Sequence, residues 1–332
     1  MLVQYHRVIL MNIFIIGGTG FIGYHAVLEF LRRGHRVSVL ALPPLPDEDL
    51  LPPEVEVILA DLDSLFDEDV RSLLTEQQAL VFAAGADDRI TPKAPAYDFF
   101  YEANVRTCSR VFKLAREAGV KRGVLMGSYF AYFDRIWPEM KLSEHHPYIR
   151  SRAVQITQVM QVSLPDLALM VLELPYIFGA MPGRIPLWAP LIRYIRYPIP
   201  LFYPRGGTNV IAIQHVAEAI VGAVERGKGG EIYQIGDENL TWKTLLARLS
   251  TAAGKKKQVI TLPDWLVQAG MGLLDLYFKV QGREGGLDPV QFIKLQTAET
   301  FFDPASSRAA LGYGSGGLEI AFQDTVRACL EN

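Results

Sequence analysis

The sequence predicts an α/β protein: a doubly wound parallel sheet flanked by helices, with a small C-terminal lobe. Three observations carry that reading. Short apolar runs alternate with helix-period segments through the first half of the chain. The first such run, Ile13 to Ile16, flows without a break into three glycines spaced Gly17-x-x-Gly20-x-x-Gly23. Beyond Pro175 the alternation dissolves, because Pro182, Pro186, Pro190, Pro198, Pro200 and Pro204 cut the chain into loops and short helices.

In order, the pattern predicts a strand over 12–16, a helix over 21–33 and a strand over 36–40. A proline- and acid-rich loop follows, 43–53. Next come a strand over 55–59, a short helix over 67–74 and a strand over 80–84. A long helix over 97–118 is ended by Gly119. A strand over 123–126, a helix over 148–162 and a strand over 167–172 complete the first half. Two later pieces return to the sheet pattern: 209–213 with the helix 215–226, and 231–235. Residues 11–175, with 209–236 returning to them, read as a Rossmann-type dinucleotide-binding domain; 176–208 and 237–330 read as a substrate-binding lobe.

The glycines have separate physical tasks. Gly17 lets the chain turn sharply, Gly20 lets backbone approach a pyrophosphate, and Gly23 lets the helix pack on the strand. The helix N-terminus then offers unpaired N–H groups to the anion. Without a ligand the same spacing serves a tight strand-to-helix turn.

Composition narrows the partners. The chain has 332 residues, half of them hydrophobic, and a formal charge of -3, which gives no electrostatic reason to expect nucleic acid or an anionic membrane as the main partner. The one basic run, Lys255 to Lys257, reads as a solvated loop. Cys108 and Cys329 fit neither a disulfide framework nor a zinc site, so a reducing cytoplasm is expected. No apolar run reaches the ~18 residues of a membrane span, and no metal spacing is present. Met11-Asn-Ile-Phe reads like a natural start, so residues 1–10 are expected to be either a mis-called extension or an extra segment.

Gly17-Gly-Thr-Gly-Phe-Ile-Gly23 resembles the opening of the extended short-chain dehydrogenase/reductase superfamily, the branch of NAD-dependent epimerases and dehydratases. Later stretches are similar too: Val210-Ile-Ala-Ile-Gln-His-Val-Ala (His215 standing where an Asp is usual), Gly230-Glu-Ile-Tyr-Gln-Ile-Gly236, and Phe302-Asp-Pro-Ala-Ser-Ser-Arg. The resemblance implies a bound NAD or NADP. It implies cofactor contacts from Gly17, Thr19, Gly20, Phe21, Ile22 and Gly23. Asp61 and Leu62 would meet the adenine, Ala83, Ala84 and Gly85 its ribose, and the Pro175–Ile177 backbone the nicotinamide. An acidic residue at the end of the second strand marks NAD sites and an Arg marks NADP sites. Leu40-Ala41-Leu42 supplies neither, so the choice stays open, with Asp47, Asp49 and Arg36 as the nearby charges.

Chemistry at a carbinol carbon needs an acid/base for the hydroxyl proton. The superfamily uses a Tyr, a Lys four residues later and a Ser or Thr from the fifth strand. Residues i and i+4 share a helix face, and a cation beside a phenol favours the phenolate. The matching positions here are Tyr148, Ser128 and Arg152, so Arg replaces the Lys. Arg keeps the charge but cannot give up its proton. Asn104 matches a supporting Asn of the family. His145 and His146 read as a loop pair.

On the substrate side, Leu172-Glu-Leu-Pro-Tyr-Ile-Phe-Gly179 departs from the nucleotide-sugar pattern: Glu173 replaces an Arg, Tyr176 an Asn and Phe178 a Tyr. Tyr176, Phe178, Arg184 and Arg205 are the candidate substrate residues. The apolar helix over 264–279 reads as core of the small lobe; the other readings are a pocket lid of Trp265, Met271 and Phe278, a dimer surface and a membrane surface. The chain has no hydrolase elbow and no P-loop. These residues point to an NAD(P)-dependent oxidoreductase or epimerase acting on a hydroxyl or carbonyl group of a small molecule. The other reading is a cofactor-binding regulatory or assembly protein with degraded catalysis. The resemblance also implies a homodimer through helices 97–118 and 148–162.

Overall fold

A computed structural model describes residues 10–331 apart from 46 and 48; the expectation for residues 1–9 lies outside the described residues. The chain runs β1 (Asn12–Ile16), α1 (Phe21–Arg32), β2 (Arg36–Ala41), β3 (Glu56–Leu59), α2 (Asp67–Leu74), β4 (Ala79–Phe82), α3 (Ala96–Phe100), a π-turn (Tyr101–Arg106), α4 (Thr107–Glu117) and β5 (Arg122–Ser128). It continues through α5 (Tyr129–Ile136), α6 (Leu142–His145), α7 (Pro147–Ser163), β6 (Ala168–Leu174), β7 (Tyr176–Phe178), α8 (Ala189–Arg196), β8 (Leu201–Tyr203) and β9 (Gly207–Ala212). The rest is α9 (Ile213–Arg226), β10 (Ile232–Gln234), β11 (Glu238–Thr241), α10 (Trp242–Ala252), β12 (Val259–Thr261), α11 (Asp264–Val280), α12 (Pro289–Gln296), β13 (Glu299–Thr300), α13 (Ala305–Leu311) and α14 (Leu318–Glu331).

Seven strands form a parallel sheet in the order β10-β6-β5-β4-β1-β2-β3. Such a sheet is covered on both faces, which explains its continuous apolar strands. Alternate residues of β1 feed opposite cores: Ile13 and Ile15 pack with Val27, Phe30 and Ile220, whereas Phe14 and Ile16 pack with Phe112 and Leu169. The chain order reverses at β1, between β2 and β4. That switch point opens a crevice beyond the strands' C-terminal ends.

A second sheet, β11-β9-β13 with β7 on β9, builds the lobe above the crevice. Its core contains Phe178, Ile192, Leu201, Trp242, Leu246 and Phe322.

The structure departs from the sequence reading in four places. Residues 209–213 pair in this second sheet, and only β10 returns to the central one. The long helix is broken into α3, a π-turn and α4. Helix α5, absent from the sequence reading, starts directly at Ser128. The largest departure is α11. It has no buried residue, so it is not core of the lobe; it lies against α12 with Trp265 68% and Leu273 70% exposed.

Candidate active site

A cleft of about 860 Å³ opens at the C-terminal edge of the central sheet, within the range of small-molecule and cofactor sites. One wall is backbone and small side chains. Gly17 has φ +85°, and a Cβ there would stand 2.9 Å from the Ala83 carbonyl oxygen. A Cβ on Gly23 would meet the Gly17 carbonyl oxygen at 2.1 Å, so Gly23 works behind the loop, holding α1 against it, and does not line the cleft. Gly20 does line it, with the Arg184 guanidinium ahead: its Cβ would come 3.8 Å from Arg184 Nη1.

Helix α1 starts at Gly20 with no side-chain cap and no acidic residue in its first turn. Its first N–H groups therefore remain for an anion. Thr19, Phe21 and Ile22 complete this rim. This cradle, closed to a Cβ behind and open in front, fits a dinucleotide pyrophosphate.

Asp61, Leu62, Ala83, Ala84 and Gly85 line the same wall. The Asp61 carboxylate accepts the Asp63 N–H at 3.1 Å, which fixes it at the crevice edge. Leu40, Ala41 and Leu42 also line the cleft and carry no charge. The three nearby charges suggested by sequence, Asp47, Asp49 and Arg36, do not line it. Arg36 pairs with Asn12 at the opposite end of the strands, and the Asp47 carboxylate accepts the Asp49 N–H within its own loop.

The other wall is built from buried side chains. Tyr148 opens α7, is 6% exposed, and lies edge-on to Phe100 and Phe130. Its N–H donates to the Gly286 carbonyl at 2.9 Å, so a distant segment fixes its place. One turn on, Arg152 sits with its guanidinium carbon 5.2 Å from the Tyr148 ring centroid. Arg152 donates to the carbonyls of Met126 (3.4 Å) and Ala86 (3.3 Å) and to Gln155 Oε1 (3.0 Å). It pairs with no carboxylate among the described residues, and its buried Nε has no partner. A buried cation with an unpartnered Nε, coupled to Asp87 and Asp88 only at a distance, suits the hydroxyls of a cofactor ribose.

Behind it stands Asn104, fully buried rather than solvated. Its Oδ1 accepts the Ala86 N–H at 2.8 Å and its Nδ2 donates to Ser151 Oγ at 3.2 Å. Ser151 Oγ donates in turn to the Tyr148 carbonyl at 2.7 Å. The π-turn frees the Asn104 carbonyl, and Gln155 Nε2 donates to it at 2.6 Å. Ser151 and Gln155 were missed by the sequence reading, although both lie within one turn of Arg152. Ser128 is the N-cap of α5: its Oγ accepts the Phe130 N–H at 3.3 Å, leaving its own O–H for a ligand oxygen.

Tyr129 and Tyr176 stand nearby, and burial pushes both phenols up, Tyr176 well above the usual range. Tyr129 OH shares a 2.9 Å hydrogen bond with Thr208. Burial, then the Asp87 charge, raises the Asp88 carboxyl in the same cleft. His146 is no proton donor to the cleft. Its Nδ1 accepts the Asp288 N–H at 3.0 Å, and burial pulls it down to about 4.

The substrate candidates separate. Pro175, Tyr176, Ile177 and Arg184 line the cleft. The Ile177 carbonyl is already taken by the Trp188 indole N–H at 2.9 Å. Phe178 does not reach the cleft: it shares the Tyr176 face of β7 but lies one strand step deeper into the lobe, fully buried and stacked on Trp188 at 4.4 Å. Arg205 is also outside, exposed and paired with Asp264 at 2.9 Å. Glu173 is fully buried, held by both Arg135 nitrogens at 2.8 and 2.7 Å and by Gln234. Among the described residues no group of three His, Cys, Asp or Glu could hold a metal.

Comparison with known proteins agrees with this geometry. A family model described as NAD(P)H-binding matches residues 17–165. A Synechocystis sp. protein named "Putative dihydroflavonol 4-reductase" is 25% identical, over 94% of this chain and 93% of the relative. A Stigmatella aurantiaca 4-hydroxy-2-methyl-3-oxo-4-farnesyl-3,4-dihydroquinoline-1-oxide ketoreductase is 26% identical, over 79% of each chain. A nucleoside-diphosphate-sugar epimerase from Pseudomonas aeruginosa has the same fold, with TM-score 0.72 at 18% identity over 97% of this chain and 98% of that one. The glycine cradle, the buried Tyr–Arg pair and these matches lead to one assignment: the chain carries an NAD(P)H-binding domain and is similar to the extended short-chain dehydrogenases and reductases.

Proposed function

We propose that the protein is an NAD(P)-dependent oxidoreductase or epimerase that works on a carbonyl or carbinol carbon of a small molecule with an apolar scaffold. The observation that carries this reading is the burial of Tyr148 and Arg152, one helical turn apart, in the same cleft as Ser128 and the glycine loop. A bound pyridine nucleotide supplies the exchange of a hydride with the substrate carbon. The protein's own residues do the rest. Tyr148 exchanges the hydroxyl proton and Ser128 donates to the substrate oxygen. Arg152 holds the ribose and favours the phenolate electrostatically. The glycine loop, α1 and Arg184 hold the pyrophosphate.

Three features support an apolar substrate. Tyr129, Phe130, Tyr176, Leu187 and Trp188 line the cleft. Glu173, where nucleotide-sugar enzymes have an Arg, is neutralised by Arg135 inside the protein. Two relatives are named as reductases of a dihydroflavonol and of a farnesylated dihydroquinoline-1-oxide. The same reading includes a homodimer through helices 97–118 and 148–162 and a cytoplasmic site of action.

Titrating NADH and NADPH separately, then following oxidation of each with a panel of apolar ketones, tests the proposal. Turnover that survives Tyr148→Phe unchanged removes the catalytic assignment. Binding of neither nucleotide removes the enzyme.

A further inference from the structure

Helix α11 poses the plainest physical problem in the molecule. Its apolar residues surround the axis, yet Trp265, Leu266, Leu273, Leu276, Tyr277 and Val280 all face solvent. The exposed face does not stop there. Strand β12 leads into α11 and pairs with β8, whose Phe202 is exposed, and Lys257 Nζ bonds the carbonyls of Tyr197 and Ile199, both exposed.

Charge distinguishes the possible occupants. Residues 185–205 and 255–294, which carry this face, hold nine basic and four acidic side chains, a net +5 in a chain whose total is -3. The four acidic groups are engaged: Asp264 with Arg205, Asp275 with Lys279, Glu284 with the Ala96 N–H, and Asp288 capping α12. Arg193, Arg196, Lys255, Lys256 and Arg283 pair with no carboxylate among the described residues. The near-neutral total therefore hides a cationic, apolar end. A two-fold contact between two copies would set this charge against itself. An anionic bilayer complements both its charge and its apolar surface.

We propose that α11 and the β8–β12 ribbon dock on an anionic lipid surface, the apolar residues entering the headgroup boundary and the basic rim meeting the phosphates. The segment that follows α11 is tied to the active site: Gly282 accepts the Ala94 N–H, Glu284 N–H donates to Pro92, and Gly286 accepts the Tyr148 N–H. Docking on this face places the catalytic wall next to the lipid.

The test uses the full chain and does not depend on turnover. It is sedimented with vesicles of phosphatidylcholine alone and of phosphatidylcholine with phosphatidylglycerol. Binding to the anionic vesicles is expected to exceed binding to the neutral ones by about tenfold and to weaken in high salt. Trp265 emission should shift to the blue with anionic vesicles, a shift absent in Trp265→Phe. Leu273→Glu with Leu276→Glu, and separately Lys255→Glu with Lys256→Glu, should each lower binding about tenfold while leaving the circular dichroism spectrum and nucleotide affinity unchanged. Failure to bind anionic vesicles at low salt, or equal binding to both kinds, overturns the proposal. So does a lipid-free dimer that Leu273→Glu disperses, since a second copy would then cover the face.

Discussion

The two walls of the cleft are made by different means. The cofactor wall is backbone: glycines too crowded behind to carry a side chain, and a helix end without a cap. The wall proposed to be catalytic is side chains buried among one another: Tyr148, Arg152, Asn104, Ser151 and Gln155 in one hydrogen-bonded group. The first is local at its centre, the seven consecutive residues Gly17 to Gly23, backed by the ends of β2 and β4. The second is assembled from β5, the π-turn, α7 and the loop at Gly286, none adjacent in the chain. A local site tolerates change elsewhere and fails abruptly at its own glycines. An assembled site degrades in steps as its supports are removed.

The sharpest test of that contrast is Tyr148→Phe. It should lower kcat about a thousandfold, equivalent to ~4 kcal/mol of barrier, with nucleotide affinity within about threefold of the parent. A parallel loss of affinity would merge the two walls into one. Gly23→Ala should act in the opposite sense, because its methyl group would sit 2.1 Å from a backbone oxygen. We expect about a hundredfold weaker nucleotide binding by fluorescence titration and a stability loss of about 3 kcal/mol in urea. Unchanged binding would show that the loop yields, and that the first wall is not rigid.

The support at His146 predicts a pH effect on stability. Its folded value of about 4 lies below the unfolded value of about 6.5, so the fold favours the neutral ring. The stabilisation is complete above pH 6.5 and is lost as pH falls from there towards 4, by up to about 3 kcal/mol. Urea unfolding across that window should show the decline, and His146→Gln should flatten it. The smallest effect is expected for Asn104→Ala, which leaves the Ala86 N–H unpaired. It should cost about 1–3 kcal/mol of stability and lower kcat more than nucleotide affinity. An affinity loss larger than the kcat loss would place Asn104 with the cofactor wall.

The same division decided what the sequence disclosed. The central sheet and the glycine loop were legible because buried parallel strands and a spaced-glycine turn each leave a local signature. Tyr148, Ser128 and Arg152, which line one cleft, were singled out through resemblance, and spacing alone would not have joined Ser128 to Tyr148. Phe178 was misplaced because a three-residue strand gives no periodicity from which to read its depth. Arg205 was misplaced because its partner, Asp264, is remote in the chain. Helix α5 went unseen since its apolar run, Tyr129-Phe-Ala-Tyr-Phe, continues directly from a strand. The burial of α11 was expected from its composition, and composition does not say whether anything lies opposite.

The π-turn at Tyr101–Arg106 amounts to one additional residue wound into an otherwise α-helical rod. Deleting a single residue there would restore regular winding and rotate the preceding turns by about 100° relative to α4. Asn104 would swing away from Ala86, although every other residue of the wall would be present. Length at this one place is therefore as much a part of the proposed active centre as any functional group, and a one-residue deletion would disrupt it without changing any side chain proposed to act there.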